Sequence, residues 1–240
     1  MVLRRASEIR ERIPEPDEVG LTSNDLVEIA REVGVSPQAV VTALAEHQAG
    51  APTRRGVADR LIGPRVVWAS RLTASDEATA RESSIDWLAT EHGLRTRVRD
   101  DGVVVARKRT DVVGKLAGGV RRARGRGGLG RFREVQVASV AGDDQPAAVC
   151  LVVDVGNKRN EAMATGAVVT AGGAAFVGFV ALIAGPVTLA ALPLVAGAGA
   201  VTSRRSHRAT VRRAADDVEE TLDRIASGAA PRRWRDPLSR

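Results

Sequence analysis

The chain has 240 residues, is 44% hydrophobic and 27% charged, and carries a formal net charge of +7. All 65 Asp, Glu, Lys and Arg residues lie outside Ala162–Ser203, so 42 consecutive residues have no charge and the other 198 are about one-third charged. That split excludes a fully disordered chain and is hard to reconcile with a purely soluble single domain.

Met1–Glu18 mixes Arg and Glu without an apolar stretch, which is not the pattern of a signal peptide. Leu21–His47 predicts a helical pair. Thr22, Ser23 or Asn24 caps a first helix with Leu26, Ile29, Ala30 and Val33 on one face, and Gly34 ends it. Ser36-Pro37 then starts a second helix that turns Val40 and Leu44 toward the first. The spacing is like that of a helix-turn-helix, but Pro37–His47 contains no Lys or Arg. Residues 14–50 carry one Arg against seven acidic residues, so contact with a phosphate backbone is disfavoured. A DNA-binding regulator stays open as an alternative, behind a packing or interaction module.

Within this pair, Glu28–Val40 reads EIAREVGVSPQAV. It resembles the EIAREVGVSPEAV-like helical pair of a group of poorly characterised bacterial membrane proteins, with Gln38 where Glu is usual. The group places an α+β region after that pair and a hydrophobic hairpin near the C-terminus. The resemblance implies the same order of regions here and carries over no catalytic residue.

The middle of the chain predicts a strand at Arg65–Leu72 and a helix at Asp76–His92, with Ala78, Ile85, Leu88 and Ala89 inward. Leu94–Arg99 and Val103–Lys108 flank the hairpin signal Asp100-Asp101-Gly102, and Glu134–Ala141 and Ala147–Val155 form a further pair. The order β-α-β-β-β-β predicts an antiparallel sheet with a helix on one face, weakly like the helix-grip domains. A lipid- or small-ligand-binding role then depends on whether that sheet encloses a cavity. Trp68 and Trp87 are expected in the core, and so is Cys150, the only cysteine, which can form no intramolecular disulfide.

Arg107–Arg133 interrupts the strands with a basic Arg/Gly loop: Arg107, Lys108, Arg109, Lys115, Arg121, Arg122, Arg124, Arg126, Arg131 and Arg133 against one Asp, and seven glycines. Its charge of +9 exceeds that of the whole chain. Contact with anionic lipid, nucleic-acid binding and a merely solvated loop compete as readings. Phe132 is the loop's one aromatic, too few for base stacking, so nucleic acid is the weaker partner. Gly125–Gly130 formally matches G-x-G-x-x-G, but without a βαβ unit around it.

The uncharged run predicts two membrane helices, Ala162–Ala184 and Pro186–Ser203, with Pro193 kinking the second. Gly166, Thr170, Ala174 and Gly178 form a small-residue ridge for helix packing. Lys158 and Arg159 before the run, and Arg204 and Arg205 after it, place both ends on the cytoplasmic side. Whether the hairpin fully crosses stays open at this point. Thr210–Ser227 predicts an amphipathic helix with Val211, Ala215, Val218, Leu222 and Ile225 in a stripe. That stripe either packs on the sheet or makes a short coiled-coil homo-dimer. Trp234 lies at the lipid interface or in a disordered tail.

Together these features predict an α+β protein divided into 1–50 (helical pair), 51–161 (α+β domain), 162–203 (transmembrane hairpin) and 204–240 (amphipathic helix and basic tail). Three scattered histidines and one cysteine offer no metal cluster, and no nucleophile or cofactor motif is present, so the expectation is no enzyme and no cofactor. Asp143-Asp144 and Asp216-Asp217 are expected to be solvated. The expected role is a membrane-anchored binding protein of the bacterial cell membrane, contacting anionic lipid and an unidentified protein, with its soluble parts and both termini cytoplasmic.

Overall fold

Hydrogen bonding and apolar patterning produce a mixed α+β arrangement, seen in a computed structural model that describes residues 22–54, 56–109, 128–142, 146–184 and 192–231. Side chains at 58, 61, 166, 178–184, 192–196, 198 and 199 lie outside the description.

Helix α1 (Ser23–Glu32) opens on a capping box. The Thr22 hydroxyl accepts from the Asp25 amide at 3.2 Å, and the Asp25 carboxylate accepts from the Thr22 amide at 2.7 Å. These Thr22 hydrogen bonds hold the Asp25 carboxyl below its usual range. Gly34, at φ +80°, turns the chain into α2 (Pro37–Gln48), which Ser36 caps. The buried residues depart from the expected pattern. Val27, Val41, Ala45 and Ala49 are buried, whereas Ile29 and Val33 are 47% and 72% exposed. Helix α2 packs on the sheet as well as on α1, so residues 22–49 form one layer of a larger unit.

After a short helix α3 (Val57–Leu61) come β1 (Val66–Thr73), α4 (Glu77–Thr90), β2 (Leu94–Val98), β3 (Val104–Lys108), β4 (Glu134–Val140) and β5 (Ala147–Asp154). The sheet is antiparallel throughout, in the order β1-β5-β4-β3-β2. Each strand lies within a residue or so of its sequence expectation, and Gly102 at φ +79° makes the β2–β3 turn. The single face-covering helix expected from the sequence is corrected to helices on both faces. Helix α2 lies over Ala138, Val140, Ala148, Cys150 and Val152. On the other face α4 and the C-terminal helix lie over Val135, Val137, Val149, Leu151 and Val153. The inner strand β5 is therefore buried along almost its whole length, as its nearly unbroken apolar run requires.

Helix α4 buries Ala80, Ser84, Trp87 and Leu88, while Ala78 and Ala89 are exposed. Ser84 satisfies its hydroxyl by donating to the Ala80 carbonyl, which lets a polar residue take an inward position. Asp76 caps the helix, and the hydrogen bond from the Thr79 amide lowers its carboxyl pKa. Leu88, Leu129, Phe132, Leu151 and Leu222 fill the space between the sheet and its helices. Packed side chains thus occupy this side of the sheet among the described residues.

Two long helices follow, α5 (Gly156–Ala184) and α6 (Leu192–Ala226), which pack against each other. Both differ from the expected bounds. Helix α5 begins six residues before the uncharged run, because the Asp154 carboxylate accepts from the Gly156 amide and Lys158 pairs with Glu161. Helix α6 runs unbroken across Ser203-Arg204, since nothing in that stretch interrupts helix formation. Pro193 is the second described residue of this helix, directly after the undescribed 185–191. The tip, 185–191, lies outside the described residues.

The C-terminal half of α6 lies on the sheet with Ala214, Val218 and Leu222 buried, so the stripe packs within the chain. It closes with Gly228 at φ +66°, whose amide bonds to the Ile225 carbonyl while that of Ala229 bonds to Arg224. The Trp87 indole donates to the Ala229 carbonyl at 2.9 Å and fastens this end to α4. Trp68 is half-buried under α2, and Trp234 lies outside the described residues.

Candidate membrane-facing site

Burial along α5 and α6 stops where the charge stops. Ala162 is 7% exposed and Ser203 9%, and no described side chain between them is buried. Val168 and Phe176 are 71% and 68% exposed. The described side chains of the uncharged run therefore stay out of the core, with Val168 and Phe176 turned outward. Among the described residues no helix is long and apolar enough to cross a membrane. The side chains around the tip, where Phe179–Ala184 and Val187–Val195 are most apolar by sequence, fall outside them.

The base of this projection is fastened on two sides. Arg159, expected at a membrane flank, instead donates to Asp59 of α3 at 2.8 Å, with the two side chains 13% and 24% exposed. His207 is fully buried, its Nε2 bonded to the Pro64 carbonyl at 3.0 Å. It packs so closely on Gly63 that a Cβ there would come within 2.7 Å of the imidazole. The other two histidines are elsewhere: His47 is exposed on α2, and His92 Nε2 lies 3.1 Å from the Thr221 hydroxyl. Replacing Arg159 with Ala strands a largely buried carboxylate. The expected cost is about 2 kcal/mol, and an Asp59→Ala/Arg159→Ala double change should cost less than the two single changes together. Urea denaturation of the four chains measures the coupling, and simple additivity would refute it.

At the same end of the sheet, a groove of about 450 Å³ is lined by Arg107, Lys108, Arg131, Phe132, Arg133, Asp154, Asn157, Lys158 and Glu161. Residues expected at an anionic surface and residues expected at the membrane flank thus meet on one surface. The described part of the basic loop ends at Arg109 and resumes at Gly128 against Asp217 of α6, and Arg131, Phe132 and Arg133 share the groove with the first turn of α5. Lys108, Arg109, Arg133, Arg204 and Arg205 are exposed. Arg107 pairs with Glu134 at 2.9 Å, and Lys158 with Glu161 at 2.6 Å. Lys115, Arg121, Arg122, Arg124 and Arg126 lie outside the described residues.

Arg131 has a different role from the one expected. It forms an ion pair with Asp217, donates to the Arg213 carbonyl at 3.3 Å and stacks on Phe132. This corrects the solvated role given to Asp217. Burial pushes its carboxyl above the usual range, against the pull of Arg131. A raised native pKa means the folded chain holds the proton more tightly than the unfolded one, whose value lies near 3.8. The contribution is complete below that value and is lost as pH rises through the native pKa. The native chain should therefore gain stability relative to an Asp217→Asn variant as pH falls through that window. Paired urea titrations at neutral and acid pH test this, and a gap independent of pH would refute it.

Of the glycines that imitate a nucleotide fingerprint, Gly130 has a packing explanation, as does its neighbour Gly128, while Gly125 and Gly127 lie outside the described residues. A Cβ at Gly128 would lie 2.5 Å from the Asp217 carboxylate, and one at Gly130 would lie 2.4 Å from the His92 carbonyl. Cys150, packed under α2, has its thiol pushed up to about 12, chiefly by burial and secondarily by the charge of Glu46. It is expected to resist a disulfide reagent at neutral pH in the folded chain and to react at once in denaturant. Rapid labelling of the folded chain would contradict its placement.

The sequence reading missed Arg95, Arg97 and Arg99. They line a second groove with Thr96, Val98, Asp100, Asp101, Val105 and Arg107. Their signal was the alternation in LRTRVR, which sends every second residue to one face of a strand. Comparison of the sequence and the fold finds no matching protein family, no similar curated protein and no similar solved structure.

Proposed function

We propose that this chain is a membrane-anchored binding protein of the bacterial cell membrane, with its folded unit and both termini in the cytoplasm. One observation carries the reading: among the described side chains burial ends at Ala162 and resumes at Ser203, the same two ends as the uncharged run. An exposed, uncharged surface of this extent calls for lipid or a partner. The basic groove at its base and the loop rooted there favour a bilayer with anionic headgroups. The uncharged part of α5 alone is about 34 Å long at 1.5 Å per residue, against about 30 Å of hydrocarbon.

Cell fractionation tests the anchor. The full chain is expected to sediment with membranes, to resist carbonate and high-salt washing, and to be released by detergent. Release by salt alone would leave only the electrostatic contact and sink the hairpin reading. The binding half of the proposal is supported by α1 and the turn after it, where Ile29, Val33 and Val35 stand exposed.

A further inference from the structure

The cytoplasmic unit has a second charged surface, on the face of the sheet that α2 leaves open. Helix α2 packs on β1, β4 and β5, and Val105 at the edge of its contact is partly buried. Beyond Val105 no other described element covers the face. Antiparallel pairing sets Arg95 directly opposite Arg107 and Arg97 opposite Val105, so Arg95, Arg97 and Arg107 stand together. Like charges directly opposed on neighbouring strands destabilise a hairpin, unless an anion lies between them. Arg107 is offset by Glu134, and Arg99 by Asp101 at 2.8 Å. Among the described residues Arg95 and Arg97 form no ion pair, and both are exposed. They are about 7 Å apart along the strand, above a groove of about 690 Å³.

Arg107 lines both this groove and the one at the base of α5. The two basic surfaces therefore meet at Arg107, and the second lies at the base of the segment proposed to enter lipid. We infer that Arg95 and Arg97, with Arg107, bind the phosphates of anionic lipid headgroups and lay the β2–β3 face against the leaflet that holds the hairpin. This rests on the membrane reading above and adds a contact to it. Guanidinium groups suit phosphate oxygens because each presents a planar fork of N–H donors. Orienting a tethered unit in this way would also fix which side of it, including the exposed face of α1, a partner meets.

The test uses the full chain in nanodiscs of phosphatidylcholine alone or with added phosphatidylglycerol. Phenylglyoxal labels exposed guanidinium groups, and mass spectrometry reads each arginine separately, with Arg31 on α1 as an exposed control. Arg95 and Arg97 are expected to label about tenfold more slowly in the anionic discs, with rates recovering as salt is raised and Arg31 unchanged. Equal rates in the two discs would overturn the lipid contact while leaving the anchor intact. Protection by added duplex DNA or RNA in neutral discs, without protection by anionic lipid, would overturn it in favour of nucleic acid. A chain that fails to stay with neutral discs would overturn the anchor and this contact together.

Discussion

A chain in which residues 163–202 are replaced by a short Gly/Ser linker is expected to leave the membrane fraction and to remain folded. Both outcomes follow from the burial pattern. Ala162 and Ser203 bound the segment, and none of its described side chains enters either core cluster. Packed helices lie about 8–10 Å apart, so a linker of about six residues joins the two ends without strain. Arg159 with Asp59, His207 with Pro64, and the sheet-bound half of α6 all survive the excision. A point change asks the same question less drastically. Phe176 lies about 21 Å along α5 from Ala162, well within a hydrocarbon layer of about 30 Å. Phe176→Asp is expected to weaken membrane insertion by about 3 kcal/mol. At a site merely exposed to water it would change stability by no more than about 0.5 kcal/mol. An excised chain that unfolds would show that the segment belongs to the core, and one that still sediments with membranes would place the anchor elsewhere.

The strands were legible because each needs only local information. Alternation marks β2 and β3, Asp100-Asp101-Gly102 marks their turn, and an apolar run with Cys150 at its centre marks β5. The stripe on α6 was legible for the same reason, since four- and three-residue spacing announces a buried face. What that face meets is a tertiary fact, and so is the partner of α2. Val41, Ala45 and Ala49 mark an inward side, but nothing local distinguishes α1 from the sheet as its target. Ion pairs are less legible still. Arg131 and Asp217 are 86 residues apart, and Arg159 and Asp59 are 100 apart, so both arginines read as free cations beside a membrane. Arg95 and Arg97 were passed over for the opposite reason: their charge is diluted in the sequence, and only the register with β3 concentrates it.

Phe132→Ala is expected to cost about 3–5 kcal/mol, a large share of the roughly 5–15 kcal/mol that stabilises a domain. Measured in the excised chain, that loss corresponds to a fall of roughly 1–3 M in the urea midpoint. The magnitude follows from where the basic loop ends. Leu129 and Phe132 are 0% and 1% exposed, and between them Gly130 passes so close to His92 that no side chain fits. Gly130→Ala therefore forces backbone apart from backbone and should cost at least about 1–3 kcal/mol by overpacking. Gly128→Ala meets only the end of the Asp217 side chain, which can turn away, so it should cost less. Its effect should be transmitted through Arg131, which loses its carboxylate partner. The ranking Phe132, then Gly130, then Gly128 separates a root held by packing from one held by charge. If Gly128→Ala proved the most damaging of the three, the Arg131–Asp217 pair would be the main fastening. As drawn from the geometry, charge at this root only orients a segment that packing already holds.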